Sequence, residues 1–364
     1  MPTRNQHFVP RVYLKRWSPK NNENVFYYKK SNLAIGEPRN VTSILFKRHT
    51  YTIDLESYFT LDHMPKIKED FAEQIRVILQ NYNAVAFYNN QELNTNELLS
   101  DPQNLGNLEQ WSFQKADCSN RLAPKKRIIS NIKEIRSYVL EDALDDYVEK
   151  KWNDSLNKFL SQIENGYSLR IADEDMKVDL DVIESIISTL LLFMCRNPNF
   201  DCQGIFPRIE NVLLNLLLEN AKNEEEKKNI IDFVSSHIRG AWLSQIYKAL
   251  FNNDISFFSQ YFTNIKKRCQ VTVIHCPAEN GSFITSDNPA FPFVCFATQS
   301  NYNAIYFPLT PQYLLIIGKG EKDSLDKIDV KTVTNKGLKK FNSIILSSAY
   351  DSIVSDHKYL GYLF

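Results

Sequence analysis

The sequence predicts an α+β protein whose N- and C-terminal β segments share one sheet, with a large helical middle region between them. Three observations predict it. Residues rich in β-formers, bounded by turn signals, occur before residue 60. Apolar residues at helical spacing dominate from about 65 to 251. Strand-like runs then return from residue 269. These composition shifts divide the chain into an N-terminal segment (1–60), a helical region (61–265) and a C-terminal segment (266–364), the first and last expected to form one domain.

Asn24 to Lys29 (NVFYYK) follows a Ser-Pro-Lys-Asn-Asn turn cluster, and Ser43 to Thr52 forms a second β-rich run. From Pro65 the pattern becomes helical, with Ile67, Phe71, Ile75 and Leu79 on one face. Arg127 to Leu160 repeats it with Ile128, Ile132, Ile135 and Leu144. The most apolar helix spans 179–196: Asp179 and Asp181 favour the positive end of its dipole, and Asn197-Pro198 stops it. Further helices are predicted for 207–223, 224–239 and 241–251, and the Glu224-Glu225-Glu226-Lys227-Lys228 run reads as a solvated helix start. Cys269 to Cys276, Ser282 to Thr285, Ala304 to Leu309 and Tyr313 to Gly318 read as strands. Val330 to Val354 reads as a closing helix.

The chain has 364 residues, long enough for two domains or one elaborated one at about 150 residues each. Lys+Arg and Asp+Glu both number 43, so no global charge draws the protein to nucleic acid or to an anionic membrane. A charged, proline-containing N-terminus gives no secretory signal, and no apolar run reaches the roughly 18 residues of a membrane span. A cytoplasmic location without membrane contact is expected. The six cysteines form no Cys-x-x-Cys pair, and Cys269, His275 and Cys276 fit no structural zinc spacing. P-loop, Gly-x-Gly-x-x-Gly, Gly-x-Ser-x-Gly and His-Glu-x-x-His motifs are all absent.

Chemistry-bearing residues concentrate in two short motifs. Downstream, Phe283-Ile284-Thr285-Ser286-Asp287-Asn288-Pro289 places a polar cluster after two apolar residues, and Pro289 biases Asn288 away from helix. Asp287 either organises this turn or projects from a strand end into a cleft with Thr285 and Ser286. In a cleft it is a general base, a divalent-metal ligand or an arginine partner, and one carboxylate does not decide among these. Upstream, Asn5-Gln6-His7-Phe8-Val9-Pro10-Arg11-Val12-Tyr13-Leu14 joins a titratable histidine to a basic, aromatic segment. Such a mixture binds phosphate or stacks bases, or simply lies over a core. Arg196, ending the most apolar helix, either interacts with that helix's carbonyl end or reaches Asp287 or a substrate anion.

At these residues the chain resembles a bacterial family catalogued as domain of unknown function 4238. His7-Phe8-Val9-Pro10-Arg11-Val12-Tyr13-Leu14, Phe283 to Pro289, and Pro308-Leu309-Thr310-Pro311 match its segments in order, with Arg196 and Asn342 matching single positions. The resemblance implies that these polar residues form a site, and that the protein is similar to accessory proteins of mobile or defence-related loci. It implies no activity.

Together these readings predict an enzyme-like cleft acting on a phosphate-bearing substrate, nucleic acid or nucleotide. Asp287 and His7 are its expected catalytic groups, with Arg11, Tyr13, Arg196, Thr285, Ser286 and Asn288 binding substrate. The alternative is a non-enzymatic binding, sensor or scaffold protein. There the two motifs form a structural hydrogen-bond network, and the helical region docks a protein partner.

Overall fold

The computed structural model describes residues 5–19, 22–48, 52–55, 65–117, 121–168, 176–197, 214–231, 262–265, 269–294, 303–320, 325–361 and 363–364. The chain forms two compact units. One comprises Tyr51–Ala143 and Asp201–Phe257 with Met1–Pro2; the other comprises Thr3–Thr50, Leu144–Phe200 and Phe258–Phe364. Both sequence motifs belong to the second unit.

In that unit the described elements are β1 (Asn5–His7), α1 (Arg11–Leu14), β2 (Asn24–Lys29), β3 (Asn32–Asn40), β4 (Phe46–Arg48), α2 (Trp152–Ser168), β5 (Met176–Lys177), α3 (Leu180–Arg196), β6 (Cys269–His275), β7 (Thr285–Ser286), β8 (Phe291–Val294), β9 (Asn303–Thr310), β10 (Tyr313–Lys319), β11 (Lys327–Thr332), α4 (Asn335–Ser348) and β12 (Ser352–Ser355). A six-stranded sheet has the order β5-β11-β6-β10-β9-β8, antiparallel except where β6 runs parallel to β11. A four-stranded antiparallel sheet has the order β7-β12-β2-β3. There Ile353 and Val354 near the C-terminus pair with Tyr28 and Tyr27 near the N-terminus. The two ends of the chain therefore share a sheet, as the β-rich ends predicted.

Helix α4 supplies the cover. Leu338, Asn342 and Ile345 recur at i, i+4 and i+7 and are fully buried, joined by the nearly buried Ile344. Leu338, Ile344 and Ile345 pack in one cluster with Phe283, Ile284, Phe291, Ile353, Leu360 and Leu363. The predicted closing helix was longer than this. Thr334 caps α4 by accepting from the Gly337 N–H, and Ala349 turns extended. The remainder of the predicted helix is the end of β11 and the strand β12.

The other unit holds a feature the helical reading missed. Residues 84–88 pair with 91–92 on one side and 112–115 on the other. Asn89 and Asn90, both at positive φ (51° and 62°), make the two-residue turn. Helix Pro65–Asn81 forms as predicted, burying Ile67, Phe71, Ile75 and Leu79. The predicted run over Arg127–Leu160 is broken into separate helical pieces by the short strand Arg136–Ser137. Residues 224–231 are helical, and Lys227 pairs with Glu224 at an exposed position, as the solvated-start reading required. Residues 214–218 are helical, but 219–223 form a turn, so the predicted 207–223 helix ends five residues early; the rest of the predicted 207–251 helices lies outside the described residues. Among the described residues no helix is long and apolar enough to cross a membrane.

Candidate functional site

The two motifs meet, and Tyr13 is the point of contact. Extended β7 places Thr285 inward, and its hydroxyl lies 2.7 Å from the Tyr13 hydroxyl. Tyr13 also donates to the Pro308 carbonyl at 2.7 Å. One turn further along the same helical segment, the Trp17 indole donates to the Phe283 carbonyl at 2.9 Å. The sequence pattern predicts only strands and turns before residue 60; the structure makes this segment helical, so Tyr13 and Trp17, at i and i+4, share a face. Proline opens that helix at its N-cap, where a missing N–H costs nothing. The Tyr13 ring stacks on Phe307 at 5.5 Å and meets Phe193 edge-on at 5.1 Å. Trp152 completes the aromatic cluster. Tyr13, Trp17, Trp152, Phe193, Phe307 and Thr285 are all fully buried. Burial drives the Tyr13 phenol well above its usual range, so it stays neutral.

Asp287 does not organise its own turn. That task falls to Ser286, whose hydroxyl accepts from the Asn288 N–H at 3.1 Å. The Asp287 carboxylate instead reaches the segment leading into β12. Its Oδ1 accepts from the Tyr350 N–H (2.9 Å), and its Oδ2 accepts from the N–H groups of Asp351 (2.7 Å) and Ser352 (3.0 Å) and from the Ser352 hydroxyl (3.3 Å). The Asp287 N–H returns a bond to the Ser352 carbonyl. Burial pushes this carboxyl above its ordinary 3.8, against the pull of those hydrogen bonds. The Asn288 side chain donates to the Ser348 carbonyl at 3.0 Å, fixing the end of α4.

The C-terminal end of α3 ties both motifs down. Arg196 donates from Nη2 to the His7 carbonyl at 2.8 Å, and the next residue, Asn197, donates to the Asp287 carbonyl at 2.7 Å. Among the described residues no hydrogen bond joins His7 directly to Asp287. Their link runs through these two consecutive side chains. Arg196 therefore approaches the N-terminal motif rather than the Asp287 carboxylate. Asn197 and Ser352 are absent from the sequence-based site; the only signal for Asn197 is its place before Pro198 at a helix end. Asn342, matched through the resemblance, accepts from the Ile284 N–H (3.1 Å) and donates to the Ser282 (3.0 Å) and Leu363 (3.3 Å) carbonyls.

His7 differs from the rest. Its backbone is fixed by pairing of β1 with β4, and its ring meets Phe46 edge-on at 5.7 Å. The Ile44 backbone lies close enough to the ring to act on it, favouring the protonated form. Its Nδ1 is buried with no hydrogen-bond partner. Burial first, then the charges of Arg11 and Arg196, lower its pKa from 6.5 to about 4. The imidazole is neutral at physiological pH, with one nitrogen presenting a lone pair. Because the unfolded chain binds this proton below 6.5 and the folded chain only below about 4, stability falls on acidification through that window. The full contribution is at most about 3 kcal/mol. Thermal unfolding of wild type and His7→Asn from pH 7 to pH 4 tests it. Wild-type stability should fall relative to that of the variant between pH 7 and pH 4, and parallel profiles would refute the role.

A divalent metal does not fit Asp287. Both carboxylate oxygens are already engaged, and among the described residues no group of three or more His, Cys, Asp or Glu side chains is placed to hold a metal ion.

No curated protein and no solved structure matches the chain. A family model does, over residues 5–359, so that both motifs and the strands they join lie inside the match. The chain belongs to the family described as Protein of unknown function (DUF4238).

Proposed function

We propose that this protein recognises a phosphate-bearing ligand, nucleotide or nucleic acid, at its N-terminal motif, with His7, Arg11 and Arg196 as the recognising groups. The observation that carries the reading is the state of His7. It is a neutral, half-buried imidazole with an unengaged Nδ1, within electrostatic reach of two guanidinium groups. Guanidinium is the side chain best matched to phosphate oxygens, and Arg11 stands exposed at the start of α1. Of His7, Tyr13 and Asp287, only His7 keeps a polar atom that the protein does not use, so any hydrolytic step in a defence-related role falls to His7. Asp287 and Thr285 then hold the fold that presents it.

Isothermal titration with inorganic phosphate, a nucleoside 5′-monophosphate and a short single-stranded oligonucleotide tests the reading. At least one probe should bind, and Arg11→Ala should weaken it by about tenfold, the loss of one charge-assisted hydrogen bond. Arg11 is exposed, so the substitution should leave thermal stability unchanged. No binding by any probe, or binding indifferent to Arg11, would overturn it.

A second reading rests on the Asp287 network itself. A carboxylate spent on three backbone N–H groups suits a non-enzymatic binding or scaffold protein whose motifs are purely structural.

A further inference from the structure

The equal totals of 43 cations and 43 carboxylates hide a local imbalance in the first unit. From Arg121 to Lys133 the chain carries five cations (Arg121, Lys125, Lys126, Arg127 and Lys133) and no carboxylate. Two of them are engaged with Glu109: Lys125 donates to its carbonyl, and Lys133 pairs with its carboxylate. Arg121, Lys126 and Arg127 are exposed, and their side chains meet no partner among the described residues. Folding does not ask for this arrangement. Lys125, Lys126 and Arg127 fill the first turn of the helix Lys125–Lys133, which holds no acidic residue. Cations at that end oppose the helix dipole.

The cationic run continues the edge of an open sheet face. In the sheet built from Ala84–Tyr88, Gln91–Glu92 and Ser112–Lys115, side chains alternate between two faces. Ala84, Ala86 and Phe113 are buried on one. The other carries the half-buried Val85 and Phe87, opposite the exposed Gln114 and Ser112. Residues 121–123 extend this sheet. The Lys115 N–H donates to the Arg121 carbonyl, the Ala123 N–H donates to the Phe113 carbonyl, and Leu122 bridges to Gln114. Leu122 thereby joins the open face, where it is 79% exposed. Pro124 then leads the chain into the cationic helix. At the opposite edge Glu92 stands across from Phe87, so the positive charge lies on one side only. We infer that this face binds a single nucleic-acid strand, its bases over Val85, Phe87 and Leu122 and its phosphates along Arg121, Lys126 and Arg127. The unpaired cations select a polyanion, and the open aromatic and aliphatic face selects bases that are not already stacked in a duplex. One fully exposed leucine is too little apolar surface for an anionic membrane. The inference is independent of the N-terminal motif, which belongs to the other unit.

The test uses the full chain and three probes: a labelled single-stranded oligonucleotide, the duplex of the same sequence, and phosphatidylserine vesicles. The single strand should bind most tightly. With three phosphates neutralised, its affinity should fall about 20-fold between 50 mM and 200 mM salt. Lys126→Glu combined with Arg127→Glu should weaken it by about tenfold or more and flatten the salt dependence. That variant should keep or raise the melting temperature, because carboxylates suit the first turn of a helix. Phe87→Ala should weaken the single strand about fivefold or more and leave the salt dependence unchanged, the mark of a lost stacking contact. Arg11→Ala should leave strand binding as it is. Duplex bound as tightly as the single strand, vesicles bound in preference to both, or no binding at all overturns the inference. So does full affinity of the charge-reversed protein. Strand binding lost in Arg11→Ala but kept in the charge-reversed protein overturns it too, while upholding the N-terminal motif as the phosphate site.

Discussion

Asp287→Ala is expected to lower folding stability by about 3 kcal/mol. The carboxylate accepts four hydrogen bonds from residues 350–352. The Ser352 N–H is buried and loses its partner outright, at about 1–3 kcal/mol. Tyr350 and Asp351 are exposed, so water recovers part of what their N–H groups lose. The damage extends beyond this residue, because Ser352 opens β12, the strand joining β7 to β2. Asp287→Asn is the informative comparison. An amide oxygen at the Oδ2 position keeps three of the four bonds, while the amide group turns N–H against the Tyr350 N–H, so about half the loss is expected. Urea denaturation of the three proteins gives the ranking. Full stability of the Ala variant, accompanied by loss of ligand binding, would return Asp287 to a role in chemistry.

The same residue shows how far the sequence could be read. That Thr285 to Asn288 formed a polar cluster at a strand end was legible, because Phe283-Ile284 and Pro289 bracket it. What Asp287 contacts was not, since its partners are backbone groups 63 to 65 residues away and backbone N–H carries no sequence signature. Tyr13 stands out in the sequence as an aromatic in a basic segment, but its burial does not: nothing local indicates that it lies between Phe307 and Phe193. Ser352 to Val354 reads in the sequence as the tail of a closing helix whose apolar positions run from Val333 to Ala349. The structure makes it a strand through pairing with β2, a contact more than 320 residues away in sequence. The hairpin at residues 84–92 was hidden for a local reason. Ala, Val and Phe suit helix and strand alike in so short a run, and only Asn89-Asn90, which tolerates positive φ, marks the reversal.

Asn342 carries the second large effect. It is fully buried on α4, and its one side chain serves three backbone groups: the Ile284 N–H and the Ser282 and Leu363 carbonyls. An amide is the side chain that both accepts and donates twice with this geometry. Asn342→Ala leaves all three groups without partners in a dry core and is expected to cost about 3–4 kcal/mol. Asn342→Asp keeps the shape and the acceptor for Ile284, yet turns a buried carboxylate toward two carbonyl oxygens. At pH 7 it should be the worse of the two, since an unpaired buried charge exceeds the cost of unmet hydrogen bonds. Its pH dependence separates the cause. The folded-state pKa of this new carboxyl is raised above its unfolded value, so stability is present at low pH and lost as pH rises through the folded value. The Asp variant should therefore regain stability between pH 7 and pH 5, where a protonated carboxyl donates to one carbonyl, while the Ala variant should not. Denaturation midpoints at the two pH values decide this, and an Asp variant as stable as wild type at pH 7 would show that the Ser282 and Leu363 carbonyls do not depend on the Asn342 amide.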